Sequence, residues 1–194
     1  LIGHAMEVVV QCAAAVAEVE QARVREEAGL ELIGQSSIKA ALDIDWDDND
    51  ARHQAMQRLL AEVAKLRAWV DDKVSAFKTK PPLKEALELL AKVIEQDLEP
   101  DPGGGKGRRI ARGTAKDRRI SIEDPDMRHG RKSKSRLFNG YKRHAAVELD
   151  TGLILAVTAR PANEPEAAAA EHLHEDLEPH GEVSELHIDR GYLA

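Results

Sequence analysis

The sequence has 194 residues, of which 42% are hydrophobic and 32% are charged. No apolar run approaches the about 18 residues that a membrane-spanning helix needs, and the N-terminus lacks the pattern of a secretory signal. Cys12 is the single cysteine, which excludes an internal disulfide framework and a cysteine-based zinc site, so a cytoplasmic location is expected. Because the chain begins at Leu1 instead of methionine and stops at Ala194 without a tail, we expect a piece of a longer protein.

The net charge of -7 hides an uneven distribution along the chain. Residues 1–105 carry 12 Lys and Arg against 20 Asp and Glu, and residues 144–194 carry 2 against 11. Residues 106–143 carry 14 against 4, a local net charge of +10. This concentration is typical of a segment that binds phosphates, and the alternative is a solvated basic loop beside acidic helices.

Apolar residues recur at helical spacing through most of the first half of the chain. The pattern predicts helices over residues 1–28, from Ser36 or Ser37 to Leu42, and over 51–77 with Asp50 as the N-cap. Pro81 and Pro82 separate the last of these from a helix over 83–98. Residues 1–98 are therefore predicted as a helical region, and the Pro/Gly-rich, basic residues 99–116 as a linker.

The pattern changes after the linker to the alternation that is typical of strands. Residues 141–149 alternate, with Tyr141, Arg143, Ala145, Val147 and Leu149 on one side. A turn at 150–152 and a second apolar strand over 153–160 complete a predicted hairpin. The segment 117–194 is therefore expected to hold a sheet.

A helix and a third strand are predicted after the hairpin. Asn163 and Glu166 form an N-cap pattern for an alanine-rich helix that ends near Leu177. Residues 184–189 then alternate as a strand. Because a helix intervenes, this strand is expected to lie parallel to its neighbour, through a right-handed crossover.

Asp189 is a candidate metal ligand because it ends this predicted strand and Arg190-Gly191-Tyr192 turns the chain directly afterwards. A carboxylate at the end of a strand can bind a hard cation such as Mg²⁺ together with carboxylates from other elements. The alternative is a purely structural aspartate.

The basic segment supplies the candidate phosphate contacts. Cations alternate there with Ser and Gly, and the chain has neither a phosphate loop of the Walker type nor a dinucleotide-binding fingerprint. From charge density we expect the DNA-binding residues to be Arg128, Arg131, Lys132, Lys134, Arg136, Lys142 and Arg143.

Four motifs in this half resemble, in order and spacing, the DDE-type transposases of bacterial insertion sequences. They are Ser-Ile-Glu-Asp-Pro-Asp-Met-Arg-His-Gly-Arg-Lys-Ser-Lys (121–134), Phe-Asn-Gly-Tyr-Lys-Arg-His (138–144), Thr-Ala-Arg-Pro-Ala-Asn-Glu (158–164) and His-Ile-Asp-Arg-Gly-Tyr (187–192). The resemblance covers residues 117–192. The helical first half is similar to the helical region that some of these enzymes carry between their first and second strands.

The resemblance implies an RNase H-like fold of the α+β or α/β class, present as a partial mixed sheet over 117–194. It implies three carboxylates that hold two Mg²⁺ (or Mn²⁺) ions, with Asp189 as the second aspartate. The first aspartate would precede Leu1 and the glutamate would follow Ala194, so this piece is expected to be inactive by itself. Asp124 and Asp126 are alternatives for the first position, disfavoured because Pro125 separates them and neither lies on an apolar strand.

The partner implied by the resemblance is double-stranded DNA, both as transposon ends and as target. The complete protein is expected to be a homodimer that does not bind membranes and that associates with the nucleoid in the bacterial cytoplasm. Two other functions stay open from the sequence. One is an RNase H-like nuclease that does not transpose, and the other is a helical DNA- or protein-binding module without catalysis.

Overall fold

In a computed structural model, the chain divides into two compact units, residues 1–116 and residues 117–194. The structure describes residues 1–100, 108–111, 115, 117–133 and 135–193. The first unit is helical with one two-stranded ladder, and the second is an antiparallel sheet with one helix. The class is thus α+β, as expected.

The first unit contains five α-helices in its described residues. They are α1 (Ile2–Ala17), α2 (Gln21–Ala28), α3 (Ile38–Leu42), α4 (Asn49–Lys73) and α5 (Leu83–Asp97). Helix α1 lies in the middle of the core and packs against α2, α4 and α5. Its apolar side chains meet those of the other helices in a core that includes Met6, Val9, Val10, Val24, Leu66, Val70, Leu83, Leu90 and Val93.

No single described helix is long and apolar enough to cross a membrane. Helices α1 and α2 reach that length and apolar character only when they are taken together, and the angle between them is 107°.

The sequence predicted most of these helices but misplaced some of their ends. The expected helix over residues 1–28 is two helices, because Glu18 takes a left-handed conformation and the Val19 N–H bonds the Ala14 carbonyl at 3.0 Å. Ser37 caps α3 as predicted. The N-cap of α4 is Asp48, whose carboxylate accepts from the N–H groups of Asp50 and Ala51, so the prediction of Asp50 was wrong.

The carboxylate of Glu62 ties the long helix α4 to the loop that follows α2. It is 4% exposed, and it accepts from the backbone N–H of Glu31 at 2.6 Å and from that of Leu32 at 3.0 Å. A buried N–H without an acceptor is costly, so this side chain replaces the hydrogen bonds that the loop backbone lacks.

Two stretches of the predicted linker take part in strands. Strand β1 (Leu98–Pro100) pairs antiparallel with β2 (Arg108–Ile110). An ion pair between Glu99 and Arg109, 2.6 Å between Oε1 and Nη2, lies across this ladder. Residues 101–107, at the centre of the linker, lie outside the described residues.

The second unit is built on a three-stranded antiparallel sheet with the order β3-β4-β5. The strands are β3 (Arg128–Arg131), β4 (Leu137–Val147) and β5 (Ile154–Pro161), and helix α6 (Ala168–Leu177) packs on β4 and β5. The predicted hairpin is therefore present. His144 on β4 and Ala156 on β5 are buried, whereas Tyr141 and Val147, on the other side of β4, are exposed.

Two other predictions in this unit were wrong. Helix α6 begins at Ala168 and not at Asn163, because residues 162–167 form turns in which the N–H of Ala168 bonds the Pro165 carbonyl at 3.1 Å. Residues 184–189 form no strand, so the expected parallel pairing is not observed and all described strand pairs are antiparallel. The alternation of apolar residues predicts an extended backbone, but a strand also needs a neighbour with free hydrogen-bonding groups.

Replacing Glu62 tests the link between α4 and its loop. In Glu62→Leu the N–H groups of Glu31 and Leu32 lose their acceptor, so the free energy of unfolding should fall by about 1–3 kcal/mol. Glu62→Gln keeps an acceptor oxygen and should lose less. Urea unfolding of both variants measures the difference, and equal losses would contradict the role of the oxygen.

Candidate nucleic-acid interface

The turn between β3 and β4 presents exposed cations at the end of a short hairpin. We call Arg131, Lys132 and Arg136 the cationic tip; Lys134, predicted with them, lies outside the described residues. The Lys132 N–H bonds the Arg136 carbonyl at 2.9 Å, and the Arg136 N–H bonds the Ser133 carbonyl at 3.3 Å. All three cations are exposed, and among the described residues none of them makes an ion pair. The tip can therefore bind phosphates without first breaking internal contacts.

The base of this hairpin is closely packed at Gly130, which lies opposite Phe138 in the ladder. A Cβ atom at this position would lie 2.5 Å from the Ala162 Cβ and 2.6 Å from the Phe138 ring. Such distances are shorter than van der Waals contact. Only glycine therefore lets strand β3 pack this closely against Ala162, in the turn after β5.

The other predicted DNA-binding cations are placed differently. The Arg128 guanidinium donates to the Met127 carbonyl at 2.9 Å, and the Lys142 ammonium donates to the Glu164 carbonyl at 2.8 Å. Arg143 is exposed on the opposite side of β4 from Lys142. Of the six predicted cations that the structure describes, it brings the three tip cations together; a DNA-binding role for all seven stays a prediction.

Asp124 serves an internal contact. Its carboxylate accepts the phenol O–H of Tyr141 at 2.7 Å and the backbone N–H groups of Asp126 and Met127 at 3.0 and 3.1 Å. The hydrogen bond with Tyr141 is the main reason that the pKa of Asp124 is lowered and that of Tyr141 is raised to about 12. Through these hydrogen bonds, Asp124 attaches the loop over residues 121–127 to strand β4.

Asp189 begins a single 3₁₀ turn, Arg190–Tyr192. One carboxylate oxygen accepts from the Gly191 N–H at 3.2 Å, and the side chain is exposed. In the described part of the chain, Asp189 makes no ion pair, and no three His, Cys, Asp or Glu side chains form a group that could hold a metal ion. Asp189 is thus one available carboxylate, and the described residues do not complete an ion site around it.

A contact that sequence reasoning missed lies next to this turn. The Tyr192 hydroxyl is 2.6 Å from Nδ1 of His144, and the two rings meet edge to face with centroids 5.5 Å apart. Burial is the main cause that lowers the pKa of His144 and raises that of Tyr192. In the sequence, the one feature that His144 and Tyr192 share is that each lies in a motif that resembles the DDE-type transposases.

The cationic tip and the exposed Asp189 both lie within the second unit. Residues 105–194 match the family described as Transposase DDE domain. No curated protein and no solved structure matches the chain. This part of the chain is therefore similar to the transposase DDE domain family, and that family implies an RNase H-like fold, DNA binding and, in general, the use of divalent metal ions.

Changing Tyr141 to Phe tests the contact with Asp124. Folding favours the ionised carboxylate, so the stabilisation is present above the ordinary pKa of 3.8 and is lost as the pH falls through the lower pKa of the folded state. In Tyr141→Phe the pKa of Asp124 should rise, and acidification below about pH 4 should cost less stability than in the parent chain.

The pKa of Asp124 can be followed by NMR titration of its carboxyl carbon. Tyr192→Phe removes the chain's other phenol hydroxyl and should leave the titration of Asp124 unchanged. An Asp124 midpoint that is the same in Tyr141→Phe and in the parent would contradict the assigned cause.

Proposed function

We propose that this chain is part of a DNA transposase of an insertion sequence, in which the cationic tip binds DNA phosphates and Asp189 is one carboxylate of the catalytic site. The observation that carries the proposal is the family match over residues 105–194, which contains both features. The helical unit would then be the region inserted between the first two strands of the core.

The reaction implied is phosphodiester cleavage followed by strand transfer. An attacking hydroxyl oxygen forms a new bond to phosphorus, the bond from phosphorus to the leaving oxygen breaks, and the attacking group loses its proton. Divalent ions, when bound, supply the charge that activates the attacking oxygen and stabilises the leaving one.

Electrostatics explains why a DNA-binding unit that carries the exposed Asp189 would also need the tip. An exposed carboxylate repels the phosphates of DNA, and the flanking segments of the chain are acidic. Cations at the end of a hairpin offset this repulsion where they meet the DNA backbone. Most of the binding energy would then be sequence-independent and sensitive to salt.

The salt dependence of binding to a labelled DNA duplex tests the tip. Replacing Arg131, Lys132 and Arg136 together by Gln should flatten the plot of log affinity against log salt by about 0.9 for each lost phosphate contact. Fluorescence anisotropy of the 194-residue chain measures this slope.

The matched control removes three exposed cations from the helical unit, with Gln at Arg58, Arg67 and Lys92. It changes the net charge equally and should leave the slope close to that of the parent. Equal flattening in both variants would show that overall charge and not the tip governs binding, and binding that salt does not affect would refute the proposal.

Replacing Asp189 tests the enzymatic assignment in a longer transposase that includes this chain. Asp189→Asn should lower Mg²⁺- or Mn²⁺-dependent strand cleavage about a thousandfold, which corresponds to about 4 kcal/mol in the activation barrier. Asp176→Asn, an exposed aspartate on α6, is the control and should leave cleavage unchanged.

The 194-residue chain by itself should not cleave DNA, because its described residues do not assemble an ion site. Retained cleavage in Asp189→Asn would remove Asp189 from the catalytic site. Cleavage that makes no strand-transfer product would instead favour a nuclease of the same core, and DNA binding without cleavage in the longer protein would favour a binding module.

A further inference from the structure

The segment that precedes Asp189 has little packing of its own. Val183, Leu186 and Ile188 are about half exposed or more, at 46%, 63% and 47%, and residues 181–189 form neither helix nor strand. An extended segment without ladder hydrogen bonds has few contacts that define where its side chains lie. The position of Asp189 must therefore be set mainly by the turn on its C-terminal side.

Tyr192 provides the anchor. It is half-buried among exposed neighbours, and its hydroxyl meets Nδ1 of His144 at 2.6 Å. His144 lies within strand β4, opposite Thr158 of β5, and is 4% exposed. A buried imidazole on a paired strand is a rigid acceptor, and a tyrosine hydroxyl that bonds it restricts the turn that carries it.

The surroundings favour one protonation state for this pair. Glu166, Lys142 and Arg160 are the charged groups that act on His144, yet burial dominates and lowers the pKa of His144. In the tautomer that carries its proton on Nε2, the neutral imidazole accepts the phenol O–H at Nδ1.

Gly191 gives the turn a second point of contact. A Cβ atom at Gly191 would lie 1.9 Å from Oε2 of Glu166, so glycine permits the close approach of this carboxylate. Glu166 in turn lies 4.0 Å from the Lys142 ammonium. Tyr192 is thus bonded to a residue of the sheet, and Gly191 lies close against Glu166 in the turn before α6.

Two hydrogen bonds connect Asp189 to the turn that these contacts restrict. The Asp189 carbonyl accepts from the Tyr192 N–H at 3.0 Å, and its carboxylate accepts from the Gly191 N–H at 3.2 Å. We propose that Tyr192 and His144 are positioning residues for Asp189: the bond between phenol and imidazole fixes the turn that presents the carboxylate. The role in activity rests on the proposed function, whereas the contact can be tested without it.

Amide hydrogen exchange on the 194-residue chain, measured by NMR, tests the contact. Tyr192→Phe keeps the ring and removes the hydroxyl, so the amides of residues 191–193 should exchange about five- to tenfold faster, as expected for the loss of one hydrogen bond. Tyr141→Phe removes the chain's other phenol hydroxyl and should leave these amides unchanged. Unchanged exchange in Tyr192→Phe would overturn the proposal.

Two variants at His144 separate positioning from general packing. His144→Asn keeps an acceptor at the place of Nδ1 and should retain slow exchange at residues 191–193, whereas His144→Leu should not. Circular dichroism checks that both variants fold. Equally fast exchange in the two, with folding intact, would mean that the acceptor is unimportant and would overturn the proposal.

Cleavage kinetics in a longer transposase that includes this chain test the consequence for activity. Tyr192→Phe should lower kcat about tenfold and leave the DNA Kd unchanged, because the cationic tip is intact. A changed Kd with unchanged kcat would overturn the positioning role. If Asp189→Asn left cleavage intact, the proposed function would fail, while the exchange experiment would still report on the contact.

Discussion

The alternation of side chains along strand β4 is the constraint on which the second unit depends. Successive residues of a strand point to opposite faces, so Tyr141 and His144 lie on different sides of the sheet. Tyr141 holds the loop that contains Asp124, and His144 holds the turn that contains Asp189. One strand therefore anchors the irregular segments that carry Asp124 and Asp189, and a shift of its register by one residue would exchange the two faces.

In the part of the chain that the structure describes, the predicted DNA-binding cations are of two kinds: some have side chains exposed to solvent without an internal bond, and others make hydrogen bonds that stabilise the fold. Arg128 and Lys142 donate to backbone carbonyls, where their bonds replace hydration that the folded chain removes. Arg131, Lys132 and Arg136 have no such role among the described residues, and the hairpin holds them together at its end. A segment rich in cations thus contains two kinds of residue, and the composition of the segment does not distinguish them.

Several predictions failed where a local pattern had more than one structural outcome. Residues 184–189 alternate like a strand, but no described strand pairs with them, and they are exposed in the structure. The acidic run before α4 offers several carboxylates as caps, and the helix uses Asp48 instead of Asp50. The alternation along β4 likewise did not decide which side is buried; His144 is buried in the structure, where α6 packs on β4 and β5, a choice that depends on the path of the chain after β5.

The sequence by itself determined the helical nature of the first half, the hairpin of the second, the basic segment and the resemblance that the family match confirms. These features arise from periodicity, turn chemistry and local charge, all of which act between residues that are close along the chain. Only the tertiary structure decided that Glu62 completes a distant loop, that Asp124 is bonded to Tyr141 and that Tyr192 meets His144 across 48 positions. Such contacts arise from the way the strands and helices pack, and a sequence pattern contains no record of which distant side chains that packing brings together.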